Sequence, residues 1–144
     1  MASLDALFIT AKAITDDEIQ SHFSKYLCVK VSGLLESYIK AQIGDYVDVT
    51  SSKATAKYVK KNFKNFTNID YKKLCGFLES FDEKWRTDLE LVMEEEIISS
   101  LNTIIANRNN IAHGNNDSIT MRVIETHYGN LKLIISFLDD IIKR

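Results

Sequence analysis

Apolar residues recur along this chain every three or four positions, the period of an amphipathic α-helix. The cleanest run is the last one, where Met121, Ile124, Tyr128, Leu131, Ile135, Leu138 and Ile142 alternate steps of three and four. A stripe of this kind serves antiparallel packing in a bundle or a helical seam between two chains. Its helix is expected to open near Ser118 or Thr120. Before it, Ile97, Leu101, Ile104, Arg108 and Ile111 step by four, three, four and three. Gly114, followed by Asn115, Asn116 and Asp117, ends that helix as a C-terminal cap. An earlier stripe, Ile19, Phe23, Leu27, Val31, Leu34 and Tyr38, predicts a long helix running towards Ile43. It begins at a capping box on Thr15, with Asp16, Asp17 and Glu18 behind it. A short helix is expected over 2–14, a loop over 44–52, and shorter helices over 53–63 and 70–81. With no proline and five glycines, breakers are scarce. The pattern predicts an all-α, up-and-down helical bundle. The absence of repeats, low-complexity tracts and linkers makes 1–144 a single domain, as the length suggests.

Composition narrows the class. With 45% apolar and 26% charged residues the chain reads as an ordinary globular protein. No apolar run approaches the roughly 20 residues that span a bilayer, and Met1-Ala2-Ser3-Leu4-Asp5 lacks the basic flank of a signal peptide. No membrane partner is expected. Cys28 and Cys75 have no Cys-x-x-Cys spacing and sit among apolar residues, which suits buried thiols in a reducing cytoplasm. A net charge of -2 argues against an indiscriminate nucleic-acid coat. Lysines nevertheless crowd the middle, from Lys53, Lys57, Lys60 and Lys61 to Lys64, Lys72 and Lys73, ahead of an acidic stretch from Asp88 to Glu96. That local patch either meets phosphates or is a solvated helix face.

Arg108 takes a stripe position where an aliphatic residue would otherwise stand. A guanidinium there must be paired or must line a cleft. Asn109 and His113 lie four apart and share a helix face, whereas Arg108 and His113 diverge by about 140° around the axis. They meet one small group if His113 lies at the fraying helix end, or if a second copy faces the first. An arginine, a histidine and an amide together suit RNA transesterification. The imidazole takes the proton from a 2′-hydroxyl, the guanidinium stabilises the phosphorane, and the amide orients the phosphate. The chemistry calls for no metal and no cofactor. His22, His113 and His127 are scattered without metal-ligand spacing, and no Walker loop, dinucleotide turn or Gly-x-Ser-x-Gly elbow is present.

The run Arg108-Asn109-Asn110-Ile111-Ala112-His113-Gly114 resembles the HEPN signature, an Arg and a His separated by four to six residues with a polar residue after the Arg. It is similar to the bacterial branch whose helix ends in RNxxAHG. Val31-Ser32-Gly33-Leu34-Leu35-Glu36-Ser37-Tyr38 resembles the early helix of that branch, which carries a glutamate. The resemblance implies a HEPN-like bundle and a two-fold homodimer with the paired motifs across a cleft. It also implies RNA cleavage in many members, often as toxins or in phage defence beside an antitoxin or a larger defence complex. Other members only bind nucleotides or scaffold partners.

Spacing alone is weak evidence, arising by chance in about one such chain in four. Arg122 and His127 repeat it here, but mid-helix, with Val123 after the Arg and no glycine after the His. The catalytic set is therefore Arg108, Asn109, His113 and Glu36. Each has a duller reading. His113 also suits a cation completing a helix dipole, and Arg108 an ion-pair partner of Glu36 or another buried acid. Asn109 and Asn110 can simply help end a helix. Glu36, one turn beyond Gly33, either orients Arg108 or is solvated. Trp85 beside Arg86 reads as a core or interface aromatic more readily than as a base-stacking one. Three functions follow: an endoribonuclease acting on single-stranded RNA, a non-catalytic nucleotide- or protein-binding module, and a purely structural helical dimer.

Overall fold

The second stripe becomes the longest helix. In a computed structural model, which describes residues 1–115 and 119–142, α2 spans Asp17–Thr50. Its N-cap is Asp16, whose carboxylate accepts the Ile19 N–H at 2.9 Å. Asp16 thus takes the capping role expected of its neighbour Thr15, because a charged acceptor bonds an orphan N–H more strongly than a hydroxyl does. The expected loop over 44–52 is also replaced by helix, which continues six residues beyond Gly44. Gly44 is buried where the next helix packs, with the Lys60 side chain in ordinary contact distance of its Cβ position, and Val47 is buried beyond it. Tertiary packing there outweighs the roughly 1 kcal/mol cost of a mid-helix glycine. The buried register of α2 runs through Leu27, Val31, Leu35, Ile39 and Ile43, and Ile19 is exposed.

The remaining α-helices are α1 (Ala2–Lys12), α3 (Lys53–Asn62), α4 (Tyr71–Phe81), α5 (Glu83–Val92), α6 (Glu95–Ala112) and α7 (Met121–Ile142). One 3-10 turn, Phe63–Asn65, follows α3. The described residues contain no strand, and the chain is an all-α, up-and-down helical bundle. Helix α5 is an element the apolar pattern did not separate. It is set off by Asp82, which ends α4 in extended backbone and caps α5 by accepting the Lys84 N–H at 2.9 Å. Ser118, Asn116 and Asp117, to which the start of α7 and part of the preceding cap were assigned, lie outside the described residues.

Helices α2, α6 and α7 form the centre, with α1 laid over α2 and α7, and the α4–α5 pair against α6 and α7. The stripe of α7 is consumed inside the chain: Ile124, Tyr128, Leu131, Ile135, Leu138 and Ile142 are all buried. Its clean period therefore reflects bundle packing. Phe8 stacks on Tyr128 at 4.6 Å, and Asp5 accepts from the Tyr128 hydroxyl and from Lys132, each at 2.6 Å, pinning α1 to α7. Cys28, Cys75 and Trp85 are buried. Among the described residues no helix is long and apolar enough to cross a membrane.

Candidate active site

The chain between the 3-10 turn and α4 holds the arrangement together. Phe66 stacks on Phe77 at 4.3 Å, Ile69 is fully buried, and Asp70 caps α4 by accepting the Lys73 N–H at 2.8 Å. Between these anchors Asn68 adopts φ of 55°, left-handed backbone that asparagine tolerates better than most residues. From there it reaches two helices. Its N–H donates to Oε1 of Glu36 on α2 at 2.9 Å, and its Oδ1 accepts from Nη1 of Arg108 on α6. Glu36 Oε1 also lies 3.6 Å from Arg108 Nη1, with the two side chains 12% and 27% exposed. The guanidinium is thus held by a carboxylate and an amide, on a side chain that is only partly buried.

His113 lies just past the end of α6 as its C-cap, with φ -88° and ψ 6°. Gly114 follows at φ 71°. Its N–H donates to the Ile111 carbonyl at 3.1 Å, and the Asn115 N–H to the Asn110 carbonyl at 2.8 Å. Those two bonds are a Schellman closure, which needs the left-handed residue that glycine supplies most cheaply. The imidazole is exposed, and among the described residues it shares no hydrogen bond or ion pair with Arg108, Asn109 or Glu36. The five-residue spacing has its geometric consequence here: Arg108 turns to Glu36 and Asn68, while His113 faces out. Asn109 is half-buried and borders a separate cleft against the start of α4. Among the described residues no three His, Cys, Asp or Glu side chains gather as a metal-binding group.

A family model described as RiboL-PSP-HEPN matches residues 2–144. The chain belongs to this HEPN family. Neither a curated protein nor a solved structure matches it. In this HEPN chain the spacing of Arg122 and His127 leads to a different arrangement. Arg122 is exposed on α7, and His127 Nδ1 lies 2.9 Å from the buried Ser100 hydroxyl, which also accepts from Asn130 Nδ2 at 2.7 Å.

Asn68 is the member that the HEPN sequence pattern did not reveal. The only local signal was an asparagine two residues before the capping aspartate, a place where left-handed backbone is common. Asn68→Gly keeps that backbone but removes the acceptor from Arg108, and Asn68→Ala removes the acceptor and adds strain. We expect each to destabilise the chain by about 1–3 kcal/mol, alanine the more by up to about 1 kcal/mol. Urea midpoints check this, and equal midpoints for the two variants would refute the backbone argument.

Burial lowers the His127 pKa below its ordinary 6.5. The unfolded chain therefore binds a proton at this residue more readily than the folded one. This contribution to stability is intact above about pH 6.5 and is lost as pH falls through the depressed folded value. His127→Gln, which keeps a polar partner for Ser100, should lose less stability than the parent between about pH 7.5 and about pH 5. Parallel urea titrations at the two pH values measure the difference.

Proposed function

We propose that this HEPN chain, as a single domain of the RNxxAHG type, is a metal-independent endoribonuclease. Arg108, Asn109 and His113 do the chemistry, and Glu36 positions Arg108. The observation that carries this reading is the clamp on Arg108. A guanidinium fixed by Glu36 and Asn68, on a side chain that keeps about a quarter of its surface exposed, is organised in advance for an anion, which is what electrostatic stabilisation of a phosphorane requires. The exposed imidazole at the end of the same helix takes the 2′-hydroxyl proton. The 2′-oxygen attacks its own phosphorus, the bond to the 5′-oxygen breaks, and that oxygen leaves with a proton. The products are a 2′,3′-cyclic phosphate and a 5′-hydroxyl. Because Arg108 and His113 diverge within one chain, the reading includes a homodimer in which facing motifs complete each other. A cytoplasmic toxin or phage-defence effector, held by an antitoxin or a defence-complex partner, is the biological setting that follows from it.

The same clamp favours a second reading. An arginine held by a largely buried glutamate also suits a non-catalytic module that binds a nucleotide or a protein. Incubation with single-stranded RNA in EDTA separates the two. Cleavage leaving 2′,3′-cyclic phosphate ends supports the nuclease, and intact RNA at micromolar protein supports the module.

A further inference from the structure

Asn102, Ile105, Ala106 and Asn109 follow one face of α6, and beside them lies a cleft of about 350 Å³ closed by the start of α4. Ile105, buried, and Ala106, exposed, supply apolar surface to its lining. Its walls carry unspent hydrogen-bonding capacity. Asn102 Oδ1 accepts the Tyr71 N–H at 3.0 Å, which leaves the Nδ2 donors for another acceptor. Asp70 uses Oδ1 for the Lys73 N–H, which leaves Oδ2 as an acceptor. Asn109 adds a second amide one residue after Arg108, and Lys72 is an exposed cation on the rim.

These groups match one flat, polar-edged ring with a phosphate attached. An unpaired base needs an apolar surface for its face, donors and acceptors for its edge and a cation for its backbone. The volume sits at the low end of the roughly 300–1,000 Å³ of small-ligand pockets, suited to one nucleotide rather than a duplex. Resting on the nuclease reading of the adjoining residues, we propose that this cleft seats the unpaired base of the nucleotide beside the scissile phosphate. It favours bases bearing an exocyclic amino group. The preference comes from Asp70, since an ionised carboxylate only accepts. Adenine, cytosine and guanine offer it an amino donor at the rim of the edge, while uracil offers only its N3–H, flanked by two carbonyls that the carboxylate repels. The Asn102 donors then meet a ring nitrogen or carbonyl on the same edge.

The test is fluorescence anisotropy in EDTA with labelled 2′-O-methyl oligomers of A or of U, which lack the attacking hydroxyl. The A oligomer should bind the unaltered chain about ten-fold more tightly than the U oligomer. Ala106→Phe, filling the cleft from an exposed position, and Asp70→Asn, which keeps an Oδ1 acceptor for the Lys73 N–H but turns the free oxygen into a donor, should each erase the difference with circular dichroism unchanged. Equal binding of the two oligomers, or a preference that survives both substitutions, overturns the proposal. Displacement of the A oligomer by an equal concentration of adenosine 5′-monophosphate also overturns it, in favour of a free-nucleotide site. A chain that prefers the A oligomer but leaves unmodified RNA intact keeps the base seat and overturns the nuclease reading. A chain that cuts A- and U-containing RNA equally keeps the nuclease and overturns the base seat.

Discussion

On the proposed nuclease reading, His113→Ala is expected to lower RNA cleavage by about 10²–10⁴-fold, the usual contribution of a positioned proton-transfer group, while the bundle stays folded. The two halves of this expectation rest on different observations. The loss follows from the chemistry, because no other exposed imidazole sits at the end of the helix that carries Arg108. The retained fold follows from the surroundings. His113 lies just beyond α6, its side chain is exposed, and the Schellman bonds that end the helix are backbone bonds of Gly114 and Asn115. Single-turnover cleavage of a labelled RNA, read beside a thermal melt, tests both halves. Unchanged cleavage by His113→Ala would remove this residue from the mechanism.

Arg108→Ala lowers cleavage by about 10²–10³-fold, but here stability should fall as well. Removing the guanidinium leaves the Glu36 carboxylate, only 12% exposed, with the Asn68 N–H as its remaining named bond. A largely buried charge stripped of its partner costs about 1–3 kcal/mol. Glu36→Gln added to Arg108→Ala removes that charge. The double variant should therefore recover part of the stability and none of the activity. The coupling between the sites, measured by denaturation and by cleavage in one cycle, separates support of the fold from work on the phosphate. Arg122→Ala, with the same spacing to a histidine but an exposed place on α7, should change neither readout. Loss of activity in Arg122→Ala alone would mean that the other motif is the working one.

The parts of this architecture that could be read along the chain are those whose causes lie close together in it. The α7 stripe is one, because a period sustained over 22 residues fixes a helix and its buried side. The pairing of Arg108 with an acid is another, since an arginine on a core-facing stripe demands one; Gly33, one turn before Glu36, plays no part in it, because a Cβ there would meet nothing within 4 Å. What could not be read depends on distant contacts or on close local competition. Asn68 sits 32 residues from Glu36 and 40 from Arg108 in sequence, so nothing local marks it as the link between them. The continuation of α2 past Gly44 depends on α3 packing there. Thr15 and Asp16 are both good caps, and the stronger acceptor of the two, the Asp16 carboxylate, takes the place. Helix α5 is bounded by Asp82 and Met93, neither of them a glycine or a proline.

The packing of α1 and α2 against α7 also bears on how the protein is made. Leu4, Phe8 and Ala11, and the Leu27–Val31–Leu35 row, leave the ribosome early, yet part of the surface that covers them is α7, residues 121–142. Vectorial synthesis usually lets early segments fold first, but here they wait for α7, over separations that slow folding. A ribosome that stalls before Met121 therefore holds a chain whose apolar rows are still partly uncovered, a target for chaperones and proteases. Burial of these rows is completed only once α7 has been translated.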